Sequence, residues 1–186
     1  MKEITLVTGN PNKLEEFREI LPELAFESVA LDLEEIQSLS LEEIAEKKAH
    51  AAYAQLQKPI VVEDVGFFLE HWNGLPGPFI KYFEQAFPKE SLIKLLGNAE
   101  NRRGYAKAVI AYYDGETLIM AEGVEYGTVT TETKAGDGFG FDFQFIPEGH
   151  SKTFSEMGLV EKSKRSHRRR AVDAFKEKYF EIFGER

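Results

Sequence analysis

The chain opens with a strand, a tight turn and a helix in immediate succession. The apolar run Ile4–Val7 predicts a strand, and Leu14–Leu21 has apolar residues at helical spacing. Between them, Gly9 permits a tight turn, Asn10 is a preferred N-cap residue, and Pro11 suits the first position of a helix. The N-terminal segment is therefore expected to fold as a strand–turn–helix unit.

Such a turn offers a place for phosphate. The first N–H groups of a helix are unpaired, its dipole is positive at that end, and Thr8 and Lys13 add a hydroxyl and a cation. The spacing is not that of a Walker A loop. Because strand–turn–helix units are common, the segment by itself leaves anion binding and a purely structural turn both open.

Length and composition limit the classes of protein that the chain can belong to. Its 186 residues suit one domain, or two lobes around one cleft. No apolar run reaches the roughly 18 residues of a membrane span, and no secretory h-region follows Met1. The chain has no cysteine, which excludes disulfides, thiolate nucleophiles and cysteine metal sites and suggests an intracellular protein. A net charge of −9 argues against broad nucleic-acid binding.

Strand and helix patterns are mixed along the whole chain. Ser40 to Glu43 has the capping-box pattern, and Asp114-Gly115 is a hairpin turn signal. The mixture predicts an α/β fold with a mixed sheet rather than a clean doubly wound one. The expected strands cover about 3–8, 26–31, 60–62, 67–70, 105–113, 117–122, 124–131 and 141–146, and the expected helices about 11–21, 40–56, 79–86, 89–96 and 166–183.

Acidic residues follow two of the predicted strands. Glu63 and Asp64 come directly after the strand Ile60–Val62, where carboxylates can hold a hard cation or activate water. Glu35 lies in the polar segment after the second strand. Taken singly, each is better explained as a solvated acidic turn.

A glycine-rich segment precedes the last predicted strand. Gly136, Gly138 and Gly140 allow the backbone to approach another group closely. Phe139 and Phe141 could stack on a flat heterocycle, and Asp142 could accept a hydrogen bond from the edge of that heterocycle. The alternative is a glycine-rich hairpin with core phenylalanines.

A basic run, 162–170, stands out in an otherwise acidic chain. Ser166 is a plausible N-cap, which places His167 and Arg168 in the first helical turn, where cations oppose the helix dipole and a bound anion would relieve the conflict. The alternatives are a solvated helix face and a nucleic-acid patch, and the chain offers no second basic stripe for the latter. Lys48 lies on the amphipathic helix predicted over 40–56, where a solvated lysine is the ordinary interpretation.

Read in order, these motifs resemble the inosine/xanthosine triphosphate pyrophosphatase family. The resemblance covers the chain from Thr8 to Arg168, and its strength lies in seven motifs in the right order. They are Thr-Gly-Asn-Pro-Asn-Lys, Glu-Ile-Gln, Val-Glu-Asp-x-Gly, Gly-Leu-Pro-Gly-Pro, Gly-Phe-Gly-Phe-Asp, Glu-Lys-Ser and Ser-His-Arg.

The resemblance implies an architecture and an activity. The family has an elongated mixed β-sheet with flanking helices and two lobes around a central substrate cleft, so residues 1–186 would form one such domain. It hydrolyses nucleoside triphosphates such as ITP, dITP and XTP to the monophosphate and pyrophosphate with Mg²⁺. The resemblance further implies a cytoplasmic homodimer with neither nucleic-acid nor membrane partners.

The resemblance also implies roles for individual residues. Asp64 would accept a proton from the attacking water and, with Glu35, bind the metal. The base-reading residues would be Phe139, Gly140, Phe141, Asp142, His167 and Arg168. The remaining substrate contacts would come from Thr8, Gly9, Asn10, Pro11, Asn12, Lys13, Lys48, Val65 and Lys162.

Selectivity would follow from the edge of the base. Hypoxanthine and xanthine present a carbonyl where adenine presents an amino group, and a buried donor left unpaired costs about 1–3 kcal/mol.

Two residues depart from the family pattern. Val65 stands where a small hydroxyl residue is common, and Phe143 where proline is common, which puts the specificity and the strand entry near the base in doubt. A pyrophosphatase for modified pyrimidine nucleotides and a non-catalytic nucleotide- or nucleic-acid-binding protein are the alternatives.

Overall fold

The computed structural model describes residues 4–184, without the side chain of Asn12. Residue 3, the first of the predicted N-terminal strand, lies outside the described residues. The strands are β1 (Ile4–Val7), β2 (Phe26–Val29), β3 (Ile60–Leu69), β4 (Pro76–Gly77), β5 (Arg103–Tyr113), β6 (Leu118–Val129) and β7 (Phe145–Pro147). The α-helices are α1 (Pro11–Ile20), α2 (Leu41–Leu56), α3 (Ile80–Ala86), α4 (Ser91–Leu96), α5 (Phe154–Ser163) and α6 (His167–Phe183). Glu70–Trp72 and Gly140–Phe143 form 3-10 helices.

The strands form one seven-stranded mixed sheet flanked by the helices, which confirms the predicted fold class. The order is β2-β1-β3-β5-β6-β7, and β4 pairs with β3. β1 runs parallel to both β2 and β3, with Thr5 opposite Ile60 and Leu6 opposite Val61. The β3–β4 and β6–β7 pairs are antiparallel. None of the helices in 4–184 is both long and apolar enough to cross a membrane.

The described residues divide into two compact units. The first unit takes 4–65, 108–123 and 168–184, and the second takes 66–107 and 124–167. The predicted single domain with a central cleft stays a prediction.

The core of the first unit is built from β1, α1, β2, β3, β5, β6 and α6. Ile4 and Leu6 from β1 are fully buried, and the rings of Phe17 and Phe26 meet edge to face with their centroids 5.7 Å apart. The burial of these apolar side chains fixes which face of α1 points inward. The N-terminal strand–turn–helix unit is thereby held against the sheet.

The second unit has an aromatic core. Phe67 from β3 lies 4.9 Å from Phe141 and 5.1 Å from Phe145, measured between ring centroids, and Phe145 lies 5.4 Å from Phe154. Tilted and edge-to-face arrangements of this kind are the favoured ones for aromatic pairs. Phe141 is therefore a core residue as well as a member of the predicted base-binding segment.

Several sequence predictions of local structure are wrong. Glu63 to Gly66 do not end a strand, because the two runs predicted at 60–62 and 67–70 join into the single ten-residue strand β3, and Glu70 begins a 3-10 helix instead. In the same way, the two runs predicted at 117–122 and 124–131 join into β6. Sheet pairing across neighbouring strands carries the backbone through positions whose local residue types favour a turn.

The segment 141–146 is not one strand. Gly140 has φ +57°, and the Asp142 carboxylate accepts the Phe139 N–H at 3.1 Å, which closes a turn before β7. Helix α5, which breaks at Gly158, was not predicted; it begins after Thr153, whose hydroxyl accepts the Glu156 N–H.

Gln144, which follows this turn, holds α4 in place. Its side-chain Oε1 accepts hydrogen bonds from the N–H groups of Leu92 (2.8 Å) and Ile93 (3.0 Å), two groups that the helix cannot satisfy itself. Gln144 is fully buried. A side chain from a distant segment thus replaces the usual N-cap of α4.

Replacing Gln144 by alanine is expected to lower the free energy of unfolding by about 2–3 kcal/mol, because buried N–H groups lose their acceptor. Urea unfolding followed by circular dichroism measures the change, and Gln85→Ala, at an exposed position of α3, is the control. Equal unfolding midpoints for Gln144→Ala and the wild type would contradict this role.

Candidate functional site

The predicted phosphate turn has the expected local structure. Helix α1 begins at Pro11, the Thr8 hydroxyl accepts the Asn10 N–H at 3.0 Å, and the Lys13 N–H donates to the Asn10 carbonyl at 3.1 Å. Gly9 and Pro11 are exposed. The first turn of α1 contains no acidic residue that would compete with an anion for the positive end of the helix.

Lys13 is anchored to β3. Its Nζ lies 3.0 Å from Glu63 Oε2 and donates to the Glu63 backbone carbonyl at 3.1 Å. The Lys13 side chain keeps a fifth of its surface exposed, whereas Glu63 is buried. This arrangement holds the lysine cation beside the turn that α1 and β1 form.

A second lysine lies between the two predicted metal ligands. Lys48 Nζ donates to Glu35 Oε1 at 2.7 Å and to Asp64 Oδ1 at 2.9 Å. The helix places it there because Lys48 follows the buried Ile44 and Ala45 by one turn, at the edge of the apolar face of α2. The interpretation of Lys48 as a merely solvated lysine is therefore wrong.

The cluster of Lys48, Glu35 and Asp64 stabilises a positive charge. Burial alone would lower the pKa of Lys48, but the attraction of the Asp64 and Glu35 carboxylates outweighs it and raises that pKa above its ordinary value. The other carboxylate oxygen of Asp64, Oδ2, is buried and has no hydrogen-bond partner among the described residues. Asp64 Oδ2 is thus a hydrogen-bond acceptor without a donor, on the same carboxylate that Lys48 contacts.

The same carboxylates fit a magnesium ion. Mg²⁺ prefers oxygen ligands and commonly takes one or two protein carboxylates together with substrate phosphates and water. Within 4–184, no three His, Asp or Glu side chains are grouped as a metal site. Glu35 and Asp64 would therefore hold Mg²⁺ only together with further oxygen ligands from the substrate.

Adjacent residues of β3 take different partners. Side chains alternate between the two faces of a strand, so Glu63 and Asp64 point in opposite directions. Asp64 meets Lys48, whereas Glu63 meets Lys13 and Arg168. The carboxylates of Glu63 and Asp64 therefore belong to different groups of charged side chains.

Arg168 forms a buried ionic network in the first unit. Its Nε and Nη2 donate to the two oxygens of Glu63, at 2.6 and 3.0 Å, and its Nη1 donates to Glu16. Arg168, Glu63 and Glu16 are each at most 3% exposed. A two-pronged arginine–carboxylate pair of this kind is among the stronger ionic contacts in proteins.

The charges in this network stabilise one another. Burial would raise the pKa of Glu63, but the charges of Arg168 and Lys13 hold it well below its usual range. Burial would lower the pKa of Arg168, but Glu63 and Glu16 raise it. A contact of Arg168 with a purine base, as the family resemblance implies, would require these carboxylates to give up the guanidinium.

The predicted base-binding residues lie in the second unit, apart from Arg168. Lys162 Nζ donates to Asp142 Oδ2 at 2.8 Å and stands 4.2 Å above the ring of Phe139. Both members of the ion pair are almost fully buried. The segment from Phe139 to Asp142 thus brings an aromatic face, a cation and a carboxylate together.

His167 borders the same group. It begins α6, is buried, and its ring lies 5.7 Å from the Phe141 ring and 6.3 Å from the Phe154 ring. His167 and Arg168 are neighbours in sequence but contact different units, because successive residues of a helix point about 100° apart. In the basic run, Lys162, His167 and Arg168 are buried, so a solvated helix face does not describe them.

Two acidic residues of these clusters were not predicted. Glu16 pairs with Arg168, and the carboxyl group of Glu84 lies against Gly140, where an added Cβ atom would come within 2.5 Å of Glu84 Oε1. Each sits four residues from a buried isoleucine, Ile20 and Ile80 respectively, on the inward side of its helix. An acidic residue on an apolar helix face is the sequence signal that could have identified both.

The predicted site residues form two groups. Besides Lys13 and Lys48, the first unit holds Thr8, Gly9, Asn10, Pro11, Glu35, Asp64, Val65 and Arg168. The second unit holds Phe139, Gly140, Phe141, Asp142, Lys162 and His167. Val65 packs against the core of the first unit. The Asn12 side chain lies outside the described part of the chain.

Comparison with known proteins gives consistent matches over most of the chain. The sequence model of the Ham1 family matches residues 4–178. The chain is 41% identical over 171 residues to the dITP/XTP pyrophosphatase of Hyperthermus butylicus, covering 91% of this chain and 90% of that protein. It is 39% identical over 176 residues to inosine triphosphate pyrophosphatase 2 of Trypanosoma cruzi, covering 93% and 90%.

Solved structures match equally well. The Ham1 protein of Staphylococcus aureus superimposes with a TM-score of 0.83 at 27% identity, covering 98% of this chain and 100% of that one. The HAM1 protein of Coxiella burnetii gives a TM-score of 0.85 at 26% identity, covering 97% and 100%.

Proposed function

The chain belongs to the Ham1 family, and on that premise we propose that it hydrolyses non-canonical purine nucleoside triphosphates to the monophosphate and pyrophosphate. The substrates are ITP, dITP and XTP, in line with the names of its relatives, which support purine rather than pyrimidine nucleotides. The observation that carries the proposal is the carboxylate of Asp64, which shares the Lys48 ammonium with Glu35. A carboxylate placed to accept a proton favours an enzyme over a non-catalytic binding protein, because binding alone does not need a proton acceptor.

Asp64 is the proton acceptor in the proposed reaction. Hydrolysis requires a water molecule to attack the α-phosphorus and to lose a proton as pyrophosphate leaves. Lys48 Nζ donates to Asp64 Oδ1 at 2.9 Å, whereas the buried Oδ2 has no hydrogen-bond partner among the described residues and is available to receive the proton. Water activation thus needs no residue other than Asp64.

The cations of the first unit bind the phosphates. The exposed turn at Gly9 lies at the positive end of the α1 dipole, and Lys13 and Lys48 stabilise charge on phosphate oxygens. When bound, Mg²⁺ neutralises the triphosphate and orients it, and Glu35 and Asp64 would hold it. Arg168 is a supporting residue in this scheme, since it fixes Glu63 and through it Lys13.

The second unit binds the base. Phe139 offers an aromatic face, and Lys162 and His167 can donate to a purine carbonyl oxygen. Adenine presents an amino donor at that edge, which two donors cannot satisfy. Discrimination against adenine follows from the cost of burying its amino group against donors, where that group finds no acceptor.

Three finer features belong to the same proposal. Mg²⁺ is the metal, because both ligands are carboxylates. The homodimer and the cytoplasmic location rest on the family resemblance. The acidic net charge of −9 is the argument against a nucleic-acid partner.

Pyrophosphate release tests the proposal directly. With Mg²⁺ present, kcat/KM for ITP and XTP is expected to exceed that for ATP by about 100-fold, since an amino group buried without an acceptor costs about 1–3 kcal/mol. ATP is the matched control, because it differs from ITP only at the base. Equal turnover of ITP and ATP would contradict the selectivity, and no turnover of either would contradict the enzyme.

A further inference from the structure

Lys48 joins the two carboxylates that would hold the metal. It reaches them from α2, whereas Glu35 lies between β2 and α2, and Asp64 lies on β3. Its Nζ is 2.7 Å from Glu35 Oε1 and 2.9 Å from Asp64 Oδ1. The three side chains keep between 15% and 29% of their surface exposed, so an ion dissolved in the solvent can reach the cluster that they form.

Both oxygens of Asp64 already have a use. Oδ1 accepts the Lys48 hydrogen bond, and the buried Oδ2 is the atom that receives the proton in the proposed reaction. A magnesium ion held by Asp64 therefore needs Oδ1, which it contacts at about 2.0–2.1 Å. An ammonium and a divalent cation on one oxygen would stand about 4 Å apart and repel each other. Lys48 and the metal thus compete for the same atom.

Charge favours the lysine over a divalent ion that arrives alone. The cluster carries one positive and two negative charges, so Lys48 has already neutralised half of the negative charge that would attract the ion. An entering ion has to break two hydrogen bonds of the ammonium and then lie close to it. A triphosphate removes this cost, because its oxygens can accept hydrogen bonds from Lys48 and ligate the ion as well.

We propose that Lys48 blocks the metal ligands until a nucleoside triphosphate arrives, so that the divalent ion binds together with the nucleotide and not before it. The inference rests on the proposed function, in which Glu35 and Asp64 hold Mg²⁺. The triphosphate draws the Lys48 ammonium onto its own oxygens, and this movement releases Glu35 Oε1 and Asp64 Oδ1 for the ion. The same lysine therefore excludes the metal before substrate binding and stabilises phosphate charge afterwards.

Metal binding without nucleotide tests this role. Mn²⁺ is a suitable probe because it also prefers carboxylate oxygens, and electron paramagnetic resonance measures its unbound concentration. Lys48→Met is expected to bind Mn²⁺ about 30-fold more tightly than wild type, the effect on a divalent ion of removing one positive charge about 4 Å away in water. Lys48→Arg keeps the charge and the weak wild-type affinity. Lys47→Met, at an exposed position of the same helix, is the matched control and also keeps that affinity.

A second variant locates the ion. Adding Glu35→Gln to Lys48→Met removes one of the two carboxylates and is expected to abolish most of the gain in Mn²⁺ affinity. Circular dichroism verifies that each variant is folded. Lys48→Gln, which is uncharged and still able to donate a hydrogen bond, gives the same comparison if Lys48→Met does not fold.

Nucleotide binding is expected to change in the opposite direction. The α,β-methylene analogue of ITP cannot release pyrophosphate, because a carbon atom replaces the bridging oxygen. In calorimetry without metal, Lys48→Met is expected to bind this analogue about tenfold more weakly than wild type, since a charged hydrogen bond to the phosphates is lost. A merely structural role of Lys48 would weaken the binding of both ligands, whereas competition strengthens one and weakens the other.

Specific outcomes would overturn the inference. It fails if wild type and Lys48→Met bind Mn²⁺ equally, if Lys48→Arg gains as much affinity as Lys48→Met, or if Glu35→Gln leaves the gain unchanged. It also fails if Lys48→Met binds the analogue as tightly as wild type. A wild-type protein that releases no pyrophosphate from ITP refutes the proposed function instead. The Mn²⁺ measurement, which uses no nucleotide, then still decides whether Lys48 competes with the metal.

Discussion

Replacing Asp64 by asparagine is expected to reduce kcat for ITP by about 1,000-fold, because the amide cannot take the proton of the attacking water. The fold should be retained. Asparagine has nearly the same volume, and its side-chain oxygen can still accept the hydrogen bond that Lys48 donates to Asp64 Oδ1. Pyrophosphate release gives kcat, and circular dichroism with thermal unfolding verifies the fold.

Two comparisons separate proton transfer from metal binding and from general effects of charge. Asp32→Asn, an exposed aspartate of the first unit, should keep wild-type activity. Turnover of Asp64→Asn should stay low when Mg²⁺ is raised to saturation, since added metal does not replace a base. Recovery of kcat at high Mg²⁺ would leave Asp64 only the role of a metal ligand, and a near-native kcat would remove it from the reaction.

Arg168→Met is expected to lower the free energy of unfolding by about 3–5 kcal/mol, the usual cost of breaking a buried ion pair from one side. The methionine fills most of the space but leaves Glu63 and Glu16 buried without their cation. Urea unfolding measures the loss. Arg170→Met, on the exposed side of the same helix, should change the stability little.

Neutralising the partners tests the cause of that loss. The triple variant Arg168→Met, Glu63→Gln, Glu16→Gln removes the stranded charges and should recover a large part of the stability, because buried ion pairs are often replaceable as a whole. A triple variant no more stable than Arg168→Met would show that the cost comes from packing. If Arg168→Met alone were as stable as wild type, the ionic network would not support the first unit.

The sequence predicts well where the structure is governed by local interactions. Ser40 caps α2 by accepting the Glu43 N–H, and α1 begins at Pro11, because capping and helical periodicity depend on residues within one turn. The capping box at Ser40 is incomplete, since the Glu43 carboxylate takes the Ser38 hydroxyl instead. The family was likewise evident from the order of short motifs, and the comparisons confirm it.

The errors fall where the pairing of strands or the choice of a hydrogen-bond partner decides the conformation. Glu63 and Asp64 were expected after a strand, yet pairing of β3 with its neighbours keeps them inside it. The turn at 140–143 interrupts a run that looks like a strand, because Asp142 accepts the Phe139 N–H and Gly140 adopts a positive φ. Neither the sheet neighbours nor the choice of hydrogen-bond partner can be read from residue types alone.

The opening strand–turn–helix, the capping of α2 and the family were determined by the sequence itself, since each depends on residues that are neighbours along the chain or on their order. Only the tertiary structure decided which charges meet. Arg168 pairs with Glu63 and Glu16, which are 105 and 152 positions away, and Glu84 comes to rest on Gly140. The physical reason is that an ionic contact depends on the distance between charges in the packed protein, and sequence separation does not set that distance.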